Sequence, residues 1–520
     1  TTSHPIFVEV ANPLEINEIF DGITYSKGCA IIRMLQQNLG EQIFQTGIRA
    51  YMKAHAYGNA ATDDLWSSLQ AASGVDVKAM MDSWTLQMGF PVLSVSLTSA
   101  RTLVAQQHRF LSSSNEAAQS SLARALPQLR SADLTNYAYD VNVQYYVEGM
   151  AGIQDADTML SSHTPAILSH IPVPLGASVK LNAGQTGFYR VKYASNLWNS
   201  LTAAIAAQSM PEVDRAGVLD DAFAFAEAGD TDYTYQQALS LLRSGSDNHD
   251  TSYAWWTVAS DNIYRMDALL DDESIYGAFS QWIAAQTANA VSYYGWEYNA
   301  GENTQTPEPY LQSKTRPIVL SLAAHFEVSS VVTEAVSRFW AHMQSGVSLD
   351  PALRDFVYRT AVEHDANAYA VVKTQYLSPL VTAPQERRRL LYALAACVRP
   401  WQVTATLEFA LSPSVKVQDT SSLIGRLARN PAARDKTWDF LQDNWPEFER
   451  RYGGGGFAIS GLVSSVLAQG KSTSLQMEVA DFFAGTVLAG TRTVDQVLEK
   501  IRSNAAWVTK NREIIATVVQ

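Results

Sequence analysis

The apolar period of this chain changes twice, and that change limits the possible folds more than any other feature. Residues 14–90 read as helical with short loops, the stretch from Val92 alternates, and from Asn196 to the C-terminus the spacing is helical again. Between Tyr25 and Leu39 the apolar residues Ile31, Ile32, Met34, Leu35 and Leu39 recur at helical intervals, and Gly40 stands where a C-terminal cap belongs. Thr62-Asp63-Asp64 precedes Leu65, Trp66 and Leu69, and Asp76 precedes Val77, Met80, Met81 and Trp84; these hydroxyl and acidic residues are predicted to cap the helices that follow. Pro91 closes this region.

Val92–Leu97 and Val141–Val147 alternate as strands, and Val179–Leu181 and Tyr189–Val191 add two more, with a polar tract at Ser112–Ser121. Short strands with polar connections predict a small β-sandwich over 91–193. Beyond it, helical segments of about 12–20 residues are separated by Gly229-Asp230, Gly301, Pro351, Pro400, Asn430-Pro431 and Gly453–Gly456. No strict repeat is present, so residues 194–520 are expected to stack as helix pairs in an irregular solenoid of the HEAT or armadillo sort, with a concave surface. The fold class is therefore multidomain α+β.

Composition narrows the function classes. A chain of 520 residues predicts three to four domains at about 150 residues each. With 47% hydrophobic and 17% charged residues it is too apolar for a disordered chain, and its net charge of −13 argues against binding nucleic acid or an anionic membrane. Cys29 and Cys397 form no CxxC pair and read as buried thiols. The chain has no Asn-x-Ser/Thr sequon, and its longest apolar run, Leu390–Val398, is far too short for a membrane span. The lack of sequons and disulfide pairs favours an intracellular protein. The opening Thr1-Thr2-Ser3-His4-Pro5 reads as a chain whose upstream part is processed away or not included.

Most motif tests fail. HExxH is absent, because no His is followed by Glu and no two His stand four apart. His163 and His170 read as loop histidines. Gly470-Lys471-Ser472-Thr473 ends like a phosphate loop, but Ser465 occupies the place of its first Gly. Gly453–Gly456 lacks the dinucleotide spacing and reads as a flexible turn, and no GxSxG occurs. The acidic pairs Asp63-Asp64, Asp220-Asp221 and Asp271-Asp272 are read as helix caps and surface ion pairs, and the aromatic clusters Tyr253–Trp256 and Trp438–Trp445 as core.

One set of segments is specific. Ser3-His4-Pro5-Ile6, the run Ile16–Gly28 (Ile-Asn-Glu-Ile-Phe-Asp-Gly-Ile-Thr-Tyr-Ser-Lys-Gly) and Ile32-Arg33-Met34-Leu35 resemble the segment following the zinc motif in gluzincin aminopeptidases. The resemblance continues through Tyr57–Ala60, Asp64-Leu65-Trp66, Trp84–Val92, Asn182-Ala183-Gly184, Gly187–Tyr193 and Asp214–Phe223. It ends in Val417-Gln418-Asp419, Arg429-Asn430-Pro431, Trp438, Asn444-Trp445 and Arg451-Tyr452-Gly453.

That resemblance implies a zinc enzyme of four domains, of which this chain carries the later part. Residues 1–90 are expected to be the C-terminal half of a thermolysin-like catalytic domain, 91–193 the sandwich and 194–520 the helical cap. The family's GxMEN motif, HExxH helix and third zinc ligand are not in the sequence, so zinc is expected in the intact enzyme and not on this chain alone. Tyr25 matches the family tyrosine whose hydroxyl stabilises the oxyanion of the tetrahedral intermediate. Lys27, Gly28 and Asp21 are assigned to structure, as helix start, close packing and cap. No redox role is assigned to Cys29.

Two functions follow. One is the C-terminal portion of a zinc aminopeptidase acting on peptides, inactive alone and partnered by the missing N-terminal half. The alternative is a non-catalytic module that binds peptide or protein on the concave face. The isolated half-domain is expected to expose apolar surface, including parts of the Tyr25–Leu39 helix, and to self-associate.

Overall fold

A computed structural model describes residues 3–10, 19–111, 137–156, 159–169, 173–298, 308–453, 457–486 and 491–520. The molecule is mostly helical with two small sheets, and it divides into two compact units, Thr1–Asn248 and His249–Gln520.

The first unit opens with four helices, α1 (Gly28–Leu39), α2 (Glu41–Ala54), α3 (Thr62–Ser73) and α4 (Val77–Thr85). Helix α1 buries Ile31, Met34, Leu35 and Leu39, and Gly40 at φ 81° stops it where an L side chain would be strained. Asp76 caps α4 by accepting the Ala79 amide at 3.1 Å. Thr62 caps nothing: the cap position is Ala61, and the Asp64 carboxylate accepts the Ala61 amide at 2.7 Å. Gly47 lets α2 approach α3 closely, since a Cβ there would stand 2.7 Å from Leu69 Cδ2.

All described strands fall between Pro91 and Tyr193. One sheet has the order β5-β2-β1-β7, from Ala166–Ser169, Leu103–Arg109, Pro91–Leu97 and Arg190–Tyr193; the other has the order β4-β3-β6, from Gln154–Asp155, Gln144–Val147 and Val179–Leu181. Strands β1 and β2 are antiparallel in unbroken register from Pro91↔Arg109 to Leu97↔Leu103, and β7 joins β1 in parallel. Alternate residues of β1 and β2 face the core, as the two-residue period requires. The strand expected over Val141–Val147 begins only at Gln144, Val141 making a single bridge to Leu160. The tract 112–121 lies outside the described residues.

Several of the family-like segments turn out to join the sheets to the helices that follow, α5 (Ser195–Ala206), α6 (Glu212–Ala228) and α7 (Tyr235–Asp247). Asn182, at φ 55°, accepts the Gly187 amide at 2.7 Å and donates to the Gly187 and Tyr189 carbonyls. From α6, Asp214 accepts the Gly184 amide at 2.8 Å and lies 3.6 Å from the buried Lys180 ammonium. Asp221 accepts the Val191 amide and the Arg190 guanidinium, so the helix is tied near its N-terminus to the chain after β6 and at its middle to β7. Of the acidic pairs, Asp221 is buried rather than superficial.

The second unit consists of helices from Tyr253–Leu270 to Thr491–Val519. Proline at N1 starts Pro384–Ala393 and Pro400–Leu411, and Gly346 in the left-handed region ends Ser329–Ser345. Its core includes Phe339, Val357, Tyr358, Leu394, Cys397, Leu423 and Phe448. Full burial of each large apolar side chain contributes about 1.5–3 kcal/mol. The aromatic clusters are core, with Trp255, Trp256, Trp438 and Trp445 all buried. Lys471 of the glycine-lysine motif is an ion-pair partner of Asp271 and Asp272 and donates to the Leu269 carbonyl. Arg434 also meets Asp271, at 2.5 Å, and the Asp271 side chain is buried between the two cations. Residues 454–456 lie outside the described residues.

No single described helix is long and apolar enough to cross a membrane. Tyr310–His325 and Ser329–Ser345 meet that test only as a pair bent by 111°.

Candidate functional site

Tyr25 sits in a single π-helical turn, Ile23–Lys27, that leads into α1. Such turns are uncommon and cluster at functional positions. Asp21 builds this one: its Oδ1 accepts the Ile23 and Thr24 amides at 2.9 and 3.0 Å, and its carbonyl accepts the Tyr25 amide at 3.1 Å. The second carboxylate oxygen meets His4 Nε2 at 2.8 Å, while His4 Nδ1 faces the Pro5 carbonyl at 2.6 Å. Burial, the largest influence on Asp21, works to raise its carboxyl, but the Thr24, His4 and Ile23 interactions outweigh it and hold the group below its ordinary range. The cap expected at Asp21 is therefore present, and His4, given no role from the sequence, secures it.

The Tyr25 side chain is 61% exposed, and its ring centroid lies 5.9 Å from that of Phe20. Its hydroxyl meets no hydrogen-bond partner among the described residues, which leaves the donor available. Backbone and cap fix where the side chain leaves the helix, and the phenol projects into solvent. Chemically this is a pre-positioned hydroxyl donor.

Lys27 is not merely the residue before α1. It is buried at 6% exposure, with Nζ donating to the Gln87 carbonyl at 3.3 Å. Burial first, and then the Arg109 charge, lower its pKa to about 8. The segment after α4 that holds Lys27 is itself anchored: Gln87 Nε2 donates to the Ala138 carbonyl, Trp84 Nε1 to the Asp140 carbonyl and the Tyr139 hydroxyl to the Met88 carbonyl. Nothing in the local sequence distinguishes a buried lysine from an exposed one here, because the carbonyl that its ammonium meets stands 60 positions away.

Two sequence expectations are corrected and a third holds in part. An added Cβ at Gly28 would meet nothing within 4 Å, so no close packing requires this glycine. Cys29 is exposed, and only Cys397 is buried, with burial pushing its thiol up to about 11. The expected exposed apolar surface is present in part: Ile31, Met34, Leu35 and Leu39 of α1 are covered by the chain itself, while Phe7, Phe20, Tyr25, Ile43, Met52, Tyr57, Val75 and Leu86 are the large apolar groups left exposed among the described residues of 1–90.

The residues around Tyr25 do not fit a zinc ion. His4 and Asp21 satisfy each other, and no third ligand accompanies them among the described residues. Among the described residues the His, Asp, Glu and Cys groups close enough to share an ion are Glu327, Glu363 and His364, with ligand atoms within 4.8 Å, and they belong to the second unit. His163 Nδ1 donates to the Gln107 carbonyl at 3.0 Å and joins no metal group among the described residues, and His170 lies outside them.

The comparisons with known proteins agree with the resemblance. Residues 1–84 match the peptidase family M1 domain, and residues 178–503 match the ERAP1-like C-terminal domain. Aminopeptidase M1 of Arabidopsis thaliana is 33% identical over 97% of this chain and 56% of its own length. Glutamyl aminopeptidase of Bitis rhinoceros is 32% identical, covering 99% of this chain and 52% of its own length, and that of Homo sapiens 30%, covering 99% and 51%. The chain spans about half the length of the curated relatives it matches.

Proposed function

We propose that this chain, which belongs to the M1 aminopeptidase family, is the portion of a zinc-dependent aminopeptidase that supplies the oxyanion-stabilising Tyr25. M1 aminopeptidases as a family depend on zinc. The metal ligands would come from polypeptide outside these 520 residues, and the chain by itself would be inactive. One observation carries the reading: an exposed phenol, without a hydrogen-bond partner among the described residues, on a carboxylate-braced π-turn within the residues that match the peptidase domain.

As the first peptide carbonyl becomes tetrahedral, its oxygen gains charge, and the Tyr25 hydroxyl would donate to it. The bond is stronger to the oxyanion than to the ground-state carbonyl, so it accelerates turnover more than it tightens binding. Asp21 and His4 keep the turn from reorganising. In this reading residues 1–90 complete a thermolysin-like domain, 91–193 form the sandwich, and 194–520 form a HEAT-type cap, a division supported by the confinement of the described strands to Pro91–Tyr193.

The test is fluorophore release from an N-terminal aminoacyl substrate with zinc, comparing this chain, the product of its complete gene, and Tyr25→Phe in that product. Activity in the complete product alone is expected, falling by about 10²–10³ in kcat in the variant. Activity in neither would favour the non-catalytic peptide- or protein-binding module. Activity of the isolated chain would overturn the reading.

A further inference from the structure

The second unit holds a cavity of about 570 Å³ whose wall carries four cationic side chains, Arg359, Arg388, Arg389 and Arg426, and one anionic one, Asp355. The four come from three helices, Arg354–His364, Pro384–Ala393 and Val417–Arg429. Four positive charges against one negative leave a local excess of three, in a chain whose net charge is −13.

Elsewhere in this unit several half-buried or buried arginines are neutralised, Arg316 by Glu308 at 2.7 Å, Arg434 by Asp271 at 2.5 Å and Arg354 by Glu386 at 3.1 Å, whereas Arg387 and Arg399 meet no carboxylate partner among the described residues. In the cavity only Arg389 has carboxylate partners, Asp355 at 3.4 Å and Glu386 at 3.1 Å. Arg359 donates to the Ser321 hydroxyl at 2.5 Å, and Arg426 lies 4.2 Å over the Tyr392 ring. Among the described residues neither of these, nor Arg388, forms an ion pair. Arg426 stays partly exposed, and the burial of its remainder lowers its pKa; Tyr392 opposes this, Arg429 and Arg359 add to it by repulsion, and Asp355 opposes it, with the net effect disfavouring the charge.

All four cations are arginine. The guanidinium presents a planar fork of donors that matches carboxylate and phosphate oxygens two at a time, which the point charge of lysine does not. The volume is that of a small-molecule site, and Tyr264, Phe356 and Tyr392 supply its apolar walls. A single carboxylate would leave most of the excess charge unmatched; a group carrying two or three negative charges would not.

We propose that this cavity binds a small multivalent oxyanion, either a phosphoryl compound or a polycarboxylate. The inference concerns binding by this unit and does not depend on the peptidase reading.

Titration calorimetry on the full chain, with pyrophosphate, inorganic phosphate, citrate and acetate at constant ionic strength, tests it. Pyrophosphate or citrate is expected to bind one to one at sub-millimolar concentration, with acetate inert, and whichever binds more tightly identifies the phosphoryl or carboxylate source. Arg388→Gln and Arg426→Gln, both at exposed positions, should each weaken binding at least about tenfold while the anion-free melting temperature holds. Arg450→Gln, a surface residue paired with Glu447 outside the cavity, should change nothing. No heat from either multivalent anion, an equal response to acetate, or full binding by the cavity variants would overturn the proposal. So would capture of a peptide through its free C-terminal carboxylate, with its amide inert and both multivalent anions without effect.

Discussion

The Asp221 carboxylate lies 2.9 Å from Nη1 of Arg190 and accepts the neighbouring Val191 amide at 3.0 Å, so one buried acid ties helix α6 to strand β7. Asp220, beside it, also meets Arg190, at 2.7 Å, but is half exposed. Removing the buried partner leaves an amide unsatisfied and weakens the pairing of a half-buried charge. Asp221→Ala should cost about 3 kcal/mol, and Asp220→Ala less than about 1 kcal/mol. Urea denaturation followed by tryptophan fluorescence would measure both.

Two glycines of the family-like segments should respond in opposite directions. At Gly187 an added Cβ would stand 2.1 Å from the Tyr189 ring, which is itself buried. Gly187→Ala should destabilise by about 1–3 kcal/mol. Gly28 has helical dihedrals and open space around it, so Gly28→Ala should stabilise this chain by about 0.5–1 kcal/mol. Equal effects at the two sites would refute the packing argument.

Lys27 sets a pH dependence. Its pKa is lowered from 10.5 to about 8 in the fold, so between those values the unfolded chain binds more protons and stability rises with pH. Below about 8 both states are charged, and the burial penalty is fully present. Lys27→Met should therefore be the more stable protein at pH 7, by at most about 3 kcal/mol, and its advantage should shrink as pH rises from 8 to 10.5. A gap that stays constant over that range would rule out titration of Lys27 as the cause.

Self-association should run through aromatic groups outside α1. Phe7 and Phe20 are 57% and 58% exposed, whereas the helix keeps its apolar face covered. Light scattering should find oligomers of the isolated chain, and hydrophobic-dye fluorescence should fall in Phe20→Asp. A monodisperse monomer that binds no dye would contradict this.

Helix starts and stops were legible where one residue decides them, as at Gly40 and Asp76. Strand β2 was not, because Gln106-Gln107-His108 reads as polar connection. Gln107 is in fact fully buried, with its amide exchanged against the Tyr139 backbone and donated to the Leu160 carbonyl. A side chain that replaces backbone partners carries no periodic signal. Tyr25 and Asp21 could be placed by motif, since the turn that positions them is local. The arginine cavity could not, because Arg359, Arg388 and Arg426 stand on separate helices and converge only in the packed unit.

Tyr25 offers the sharpest separation of function from structure. Its side chain is mostly exposed, and its hydroxyl bonds to no described residue, so Tyr25→Phe should leave stability within about 0.5 kcal/mol. In the complete gene product the same change should lower kcat with little change in KM, because the lost bond forms with the oxyanion and not with the bound substrate. Asp21 acts differently: it touches no reacting atom but caps the Ile23 and Thr24 amides and holds His4. Asp21→Ala should cost about 1 kcal/mol of stability and also lower kcat by displacing the phenol, and Asn, which keeps one acceptor for the turn amides, should restore most of both. If Asp21→Ala lowers kcat while Tyr25→Phe does not, the π-turn serves the fold alone and the oxyanion donor lies elsewhere.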